Sequence, residues 1–135
     1  MLNLKTYSFE ALDVWKEARR LVVYIYQITK HYPPEEKYGL VSQMRRAVIS
    51  VSTNVAEGSS RESFKDQAHF SEIAYGSLLE LLGESIASFD LQYVDEAELT
   101  EIRTRIDSIS SKLTGLRKSQ KKRYKASKLH FKTKS

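Results

Sequence analysis

Three groups of side chains hold whatever chemistry this 135-residue chain can do. The largest is a run of Lys and Arg near the C-terminus: Arg117, Lys118, Lys121, Lys122, Arg123, Lys125, Lys128, Lys132 and Lys134, with no acid among them. Such a run attracts phosphates by releasing their counterions, so binding is strongly salt-dependent and weakly sequence-specific. Tyr124 and Phe131 lie within it and are available to stack on bases. A Lys-rich terminus can also be a merely solubilising, disordered tail, and charge alone does not separate the two readings. The second group is Gln43, Arg46, Ser50, Asn54 and Glu57, with Arg45 beside it. Steps of three and four put these on one helical face. They read first as a polar seam between helices or subunits, where hydrogen-bonded groups fix register, and second as a ligand pocket.

The third group is three histidines, His31, His69 and His130. Asp66-x-x-His69 is half of the Glu-x-x-His arrangement used by di-metal bundles. The second copy and the two further inward carboxylates are missing, and His69 falls toward the charged side of its helix, so no metal is expected. The chain contains no cysteine, which excludes disulfides, zinc–thiolate sites and thiol nucleophiles. No Ser–His–Asp set can be assembled and no glycine-rich phosphate loop exists. These absences lead to a non-enzymatic reading with no catalytic residue and no cofactor. Met1–Thr6 lacks the apolar stretch of a secretory signal. No apolar run approaches the ~20 residues that cross a bilayer. A cytoplasmic protein without a membrane partner is expected.

Side chains of this kind need helices to hold them. With two Pro and five Gly, long helices are allowed almost everywhere. The first is expected over Leu12–His31, where Val14, Ala18, Leu21, Val22 and Ile25 share a face. Tyr32-Pro33-Pro34 ends it, and Pro34-Glu35-Glu36 suits the start of the next. That second helix, Glu35–Glu57, has no charge from Leu40 to Ala56 except Arg45 and Arg46. A helix without a charged face is covered on more than one side. Gly58 is placed at its C′ position. Ser63-x-x-Asp66 reads as a capping box for a third helix ending near Leu91. Its apolar face is read as Phe64, Ala68, Ser71, Tyr75, Leu78, Leu82, Ile86 and Phe89, widened by Phe70, Ala74 and Leu81. Asp95-x-x-Glu98 caps a fourth helix, whose Leu99, Ile102, Ile106, Ile109, Leu113 and Leu116 form a bundle seam. Short connections imply antiparallel neighbours, hence an all-α, up-and-down four-helix bundle. The division is an N-terminal segment 1–11, a bundle 12–116 and a basic tail 117–135, helical or disordered. The tail holds nine of the 22 basic residues, leaving 13 against 17 acids, a net of −4, in the rest.

Several stretches resemble the "four helix bundle protein" family, also named for proteins encoded in intervening sequences of bacterial 23S ribosomal RNA genes. They are Leu12-Asp13-Val14-Trp15-Lys16-Glu17-Ala18, Tyr38 through Ala47, Ser50 through Gly58, and Ala74 through Leu81. The resemblance spans about residues 9–116 and leaves out the tail. It implies a four-helix bundle that assembles as a homopentamer, and a distant relation to the accessory variability determinants of diversity-generating retroelements. Those relatives are basic and bind nucleic acid, whereas the body of this chain is acidic. A ring would supply the cover that the second helix lacks, with Arg45, Arg46 and Glu57 in ion pairs within or between subunits. The expected function is therefore a self-associating scaffold or accessory protein that engages RNA or DNA through its tail. The competing reading is an adaptor for an unidentified protein, with no nucleic-acid role.

Overall fold

A computed structural model describes residues 3–134, with side chains through residue 130. Four helices form it: α1 (Asp13–Thr29), α2 (Leu40–Ser59), α3 (Phe64–Asp90) and α4 (Glu96–Lys134). Short 3-10 turns occupy Ser8–Ala11 and Pro34–Glu36, and no strand occurs among the described residues. α2 packs on α1 and α3, and α4 on α3 and α1. Each helix contributes one stripe to a single core: Ala18, Leu21 and Ile25 of α1, Met44, Val48 and Val51 of α2, Leu78 and Leu81 of α3, and Ile102, Ile109 and Leu113 of α4 are all fully buried.

Local chemistry sets the helix ends. Asp95 and Glu98 form a reciprocal capping box on α4, Glu98 N–H donating to Asp95 Oδ1 (2.7 Å) and Asp95 N–H to Glu98 Oε1 (3.0 Å). Ser63 Oγ accepts from Asp66 N–H (3.1 Å) at the start of α3. At the end of α3, Tyr93 N–H donates to Ser88 O and Gln92 N–H to Phe89 O, both at 2.9 Å. This is a Schellman motif whose left-handed residue is Gln92 (φ 65°), not a glycine.

Four expectations are corrected. α2 begins at Leu40, not Glu35, because the proline turn closes as one 3-10 turn and Gly39 (φ −108°, ψ −115°) breaks the helix. Glu36 Oε1 then accepts the Leu40 N–H (3.2 Å). Gly58 is not a C′ residue: α2 runs through it to Ser59, and no glycine has positive φ. A Cβ there would lie 2.9 Å from the Cβ of Phe70, so Gly58 permits a close crossing of α2 and α3.

The buried face of α3 is also rotated from the expected one. Leu78 and Leu81 are buried as expected, but Ser85 and Ser88 are buried with them, while Ile86 and Phe89 stay 36% and 38% exposed. The serines are admitted because each returns its hydroxyl to its own helix, Ser85 Oγ to Leu81 O (2.7 Å) and Ser88 Oγ to Glu84 O (2.8 Å). Finally, the packed seam of α4 does not stop at Leu116. Gln120 is 5% exposed and its Oε1 accepts from Ser71 Oγ (2.8 Å). Arg117 lies over the Tyr75 ring (4.3 Å) and Arg123 over Phe64 (5.9 Å). Only from Lys125 to His130 is every residue exposed.

Candidate functional site

The basic residues sit on one uninterrupted helix. Helical spacing puts Lys118, Lys121, Lys125 and Lys128 in a stripe, alternating steps of three and four along about 15 Å of axis. Lys132 continues the spacing on the backbone. The side chains of Phe131, Lys132 and Lys134 lie outside the described residues. Lys122 and Arg123 leave the stripe on other sides of the helix, and Arg117 is committed to Tyr75.

Where the stripe passes α3, the two helices enclose a cleft of about 370 Å³ lined by Lys65, Ala68, His69, Glu72, Lys121, Tyr124 and Lys125. Lys128 Nζ lies 5.8 Å from the centroid of the Tyr124 ring. Glu72 is the one acid in the cleft; Lys121 Nζ is 2.5 Å from it and holds its carboxyl below the ordinary value. The arrangement offers cations along a rail with an aromatic ring beside it, which suits a phosphate backbone carrying unpaired bases. Lys65 and His69 belong to this cleft, which the sequence reading does not assemble: Lys65 is not singled out, and His69 is weighed only as a metal ligand. They are fifty residues and more away in the chain, and no periodicity within α3 points to α4.

The polar stripe of α2 divides. Ser50 Oγ and Ser77 Oγ are 2.8 Å apart across the α2–α3 contact, and Asn54 Nδ2 donates to Ser50 O (2.8 Å) and Ser50 Oγ (3.0 Å). Glu57 pairs with Arg61 one turn on (3.7 Å). Gln43 is exposed. Arg46 faces Glu84, a half-buried carboxyl of α3 whose Oε1 is buried without a hydrogen-bond partner. Burial, then repulsion from Glu80, raises Glu84 to about 7 against the pull of Arg46. Arg45 points the other way: its Nε donates to Thr29 Oγ1 (3.0 Å), its Nη2 to Tyr26 O (3.4 Å), and the guanidinium lies over the Tyr26 ring (4.4 Å). Arg45 therefore ties α2 to α1 and is no member of the α3-facing stripe. The stripe thus contains an interhelix hydrogen-bond set.

No described helix is long and apolar enough to cross a membrane. A profile of a family described as 23S rRNA-intervening sequence protein matches residues 10–115. Among solved structures, a protein of unknown function from the S23 ribosomal protein family of Bacteroides thetaiotaomicron has a similar fold. It superposes with a TM-score of 0.73 at 20% identity, over 78% of this chain and 98% of that one. A search of curated proteins found no match.

Proposed function

The chain belongs to the 23S rRNA-intervening sequence protein family, and from that premise we propose that it is a non-enzymatic, self-associating scaffold that engages RNA or DNA through the basic arm of α4. The observation that carries the reading is the helicity of the arm. A disordered tail would scatter its charges, whereas a helix holds Lys118, Lys121, Lys125 and Lys128 in one row beside Tyr124. Self-association is supported by the outer surface of α2 and α3. Ile49 and Ile73 are 39% and 38% exposed there, Leu79 is 46% exposed, and the Glu84 carboxyl lacks a full set of partners. In the ring of five that family membership favours, several arms would act together, and linked weak sites bind far more tightly than one.

The test replaces Lys118, Lys125 and Lys128 by Gln and leaves the Glu72–Lys121 pair intact. Each lost phosphate contact lowers the slope of log K against log salt by about 0.7 on a single strand and about 0.9 on a duplex. The triple variant is therefore expected to lose about 2–3 units of slope. Equal binding by variant and wild type removes the arm from nucleic-acid binding, and no binding by either at low salt removes the nucleic-acid role and leaves the adaptor reading. Light scattering that finds a monomer at micromolar concentration removes the scaffold.

A further inference from the structure

A second cationic site lies on the body, away from the arm. The N-terminal segment, the outer side of α1 and Arg105 of α4 enclose a groove of about 670 Å³, within the range of small-molecule sites. Lys16, Arg19, Arg20 and Arg105 line it, together with Trp15 and Tyr24, against a single carboxylate, Glu10. Glu10 is already engaged, its Oε2 accepting the Tyr7 N–H at 2.6 Å. The acid nearest to Arg20 on α1, Glu17, is held by Lys112 (2.7 Å) and Ser108 (2.5 Å). Among the described residues Lys16 and Arg20 have no ion-pair partner. They stand one helical turn apart, a spacing at which like charges repel. Arg105 is paired with Glu101 (2.8 Å), but Lys16, Arg19 and Arg20 still converge here although the chain outside the C-terminal run has a net charge of −4.

The rings are held in place. Phe9 meets the Trp15 indole edge-on at 5.0 Å. The Arg19 guanidinium lies 5.6 Å from Trp15, and that of Arg105 lies 4.9 Å from Tyr24. We propose that this groove binds a nucleoside phosphate, free or as one residue of an unpaired strand. The base adds to the Trp15 face, and the phosphate bridges Lys16 and Arg20. A dianionic phosphate relieves the repulsion between those two, and a flat base suits the ring–guanidinium stacks. The site does not depend on the α4 arm.

Trp15 is the only tryptophan of the chain, so its fluorescence reports occupancy of this groove directly. Full-length protein is titrated with AMP, with a short unpaired oligoadenylate and with inorganic phosphate. Saturable quenching by AMP is expected. It should weaken at least about tenfold in Lys16→Gln/Arg20→Gln, where two charge-assisted contacts are lost, and persist in Lys118→Gln/Lys125→Gln/Lys128→Gln. Both groove side chains are exposed, and a circular-dichroism melt confirms that the double variant folds. Tighter binding of the oligoadenylate than of AMP in the arm variant identifies a strand as the ligand; equal binding identifies the free nucleotide. No saturable quenching by either adenine ligand, or quenching that survives in the double variant, overturns the site. Inorganic phosphate competing as well as AMP overturns recognition of the nucleoside. Because the arm variant retains the groove, failure of the arm and failure of the groove are read separately.

Discussion

Substituting Gly58 tests the α2–α3 crossing most directly. In Gly58→Ala the new Cβ would stand 2.9 Å from Phe70 Cβ and 3.5 Å from Gln67 O. Carbon atoms rest at about 3.5–4.0 Å, so the shortfall approaches one ångström. Phe70 Cβ is attached to the backbone of α3 and cannot swing away as a side-chain tip can. The helix itself must shift, and overpacking of this kind costs about 1–3 kcal/mol. Against it stands the helix propensity that Ala gains over Gly, at most about 1 kcal/mol and less near a helix end. The net expectation is a loss of about 1–2 kcal/mol, a fall of several degrees in Tm for a chain of this size. A loss from Ala alone would also follow if Gly58 were a left-handed cap, so Gly58→Asn is the discriminating partner. Asn is tolerated in left-handed geometry, but against Phe70 it brings three more heavy atoms and should cost more than Ala. Thermal and urea melts of the three proteins decide. Asn as stable as Gly, or Ala more stable than Gly, refutes the crossing.

Three further outcomes are expected. Gln92 is the left-handed residue that closes α3 (φ 65°), so Gln92→Gly should raise stability by about 1 kcal/mol in a urea melt; a loss would show that its side chain matters more than its backbone. Glu84 keeps its proton to about 7 in the folded chain against an ordinary 4.5. The folded state thus binds more protons between those values, and stability falls as pH rises through them. After discounting for solvent and for Arg46, Glu84→Gln should recover about 1–2 kcal/mol at about pH 8 and little at about pH 5. An unchanged pH slope of unfolding would contradict it. Gln120→Ala leaves the buried Ser71 hydroxyl without its partner and should cost about 1–3 kcal/mol. The double change with Ser71→Ala should recover part of that loss in a thermal melt, and no loss from the single change would detach residue 120 from the bundle.

Legibility along the chain follows the contrast between faces. α1 and α4 have one dry and one wet side, so their buried residues fall where periodicity puts them, as at Leu21, Ile25, Ile102 and Ile109. α3 also has a charged side, but its apolar residues spread over a broad arc, and more than one stripe within that arc fits its sequence. The stripe that is buried contains Ser85 and Ser88, which any hydrophobicity reading ranks below Ile86 and Phe89. Glycine misled for a related reason. Gly58 carries the usual signature of a left-handed stop, yet among the described residues the left-handed one is Gln92. The demand at Gly58 is for space, and space is a property of the facing helix. In the polar stripe, the pairing of Ser50 and Asn54 followed from helical spacing. The turn of Arg45 to Thr29 and Tyr26 did not, because adjacent helical positions diverge and only packing shows what each meets.

Period, capping residues and charge distribution are local quantities, and by themselves they determined four helices, their antiparallel order, the α4 seam to Leu116 and the concentration of cations beyond it. Tertiary structure decided what depends on distance between elements. It carried the packed seam on to Gln120, placed Lys65 and His69 of α3 beside the lysine row, and enclosed Trp15 and Tyr24 with Arg20 and Arg105. Each of these joins residues far apart in the chain, and nothing in the spacing of one segment encodes which residue of another will face it.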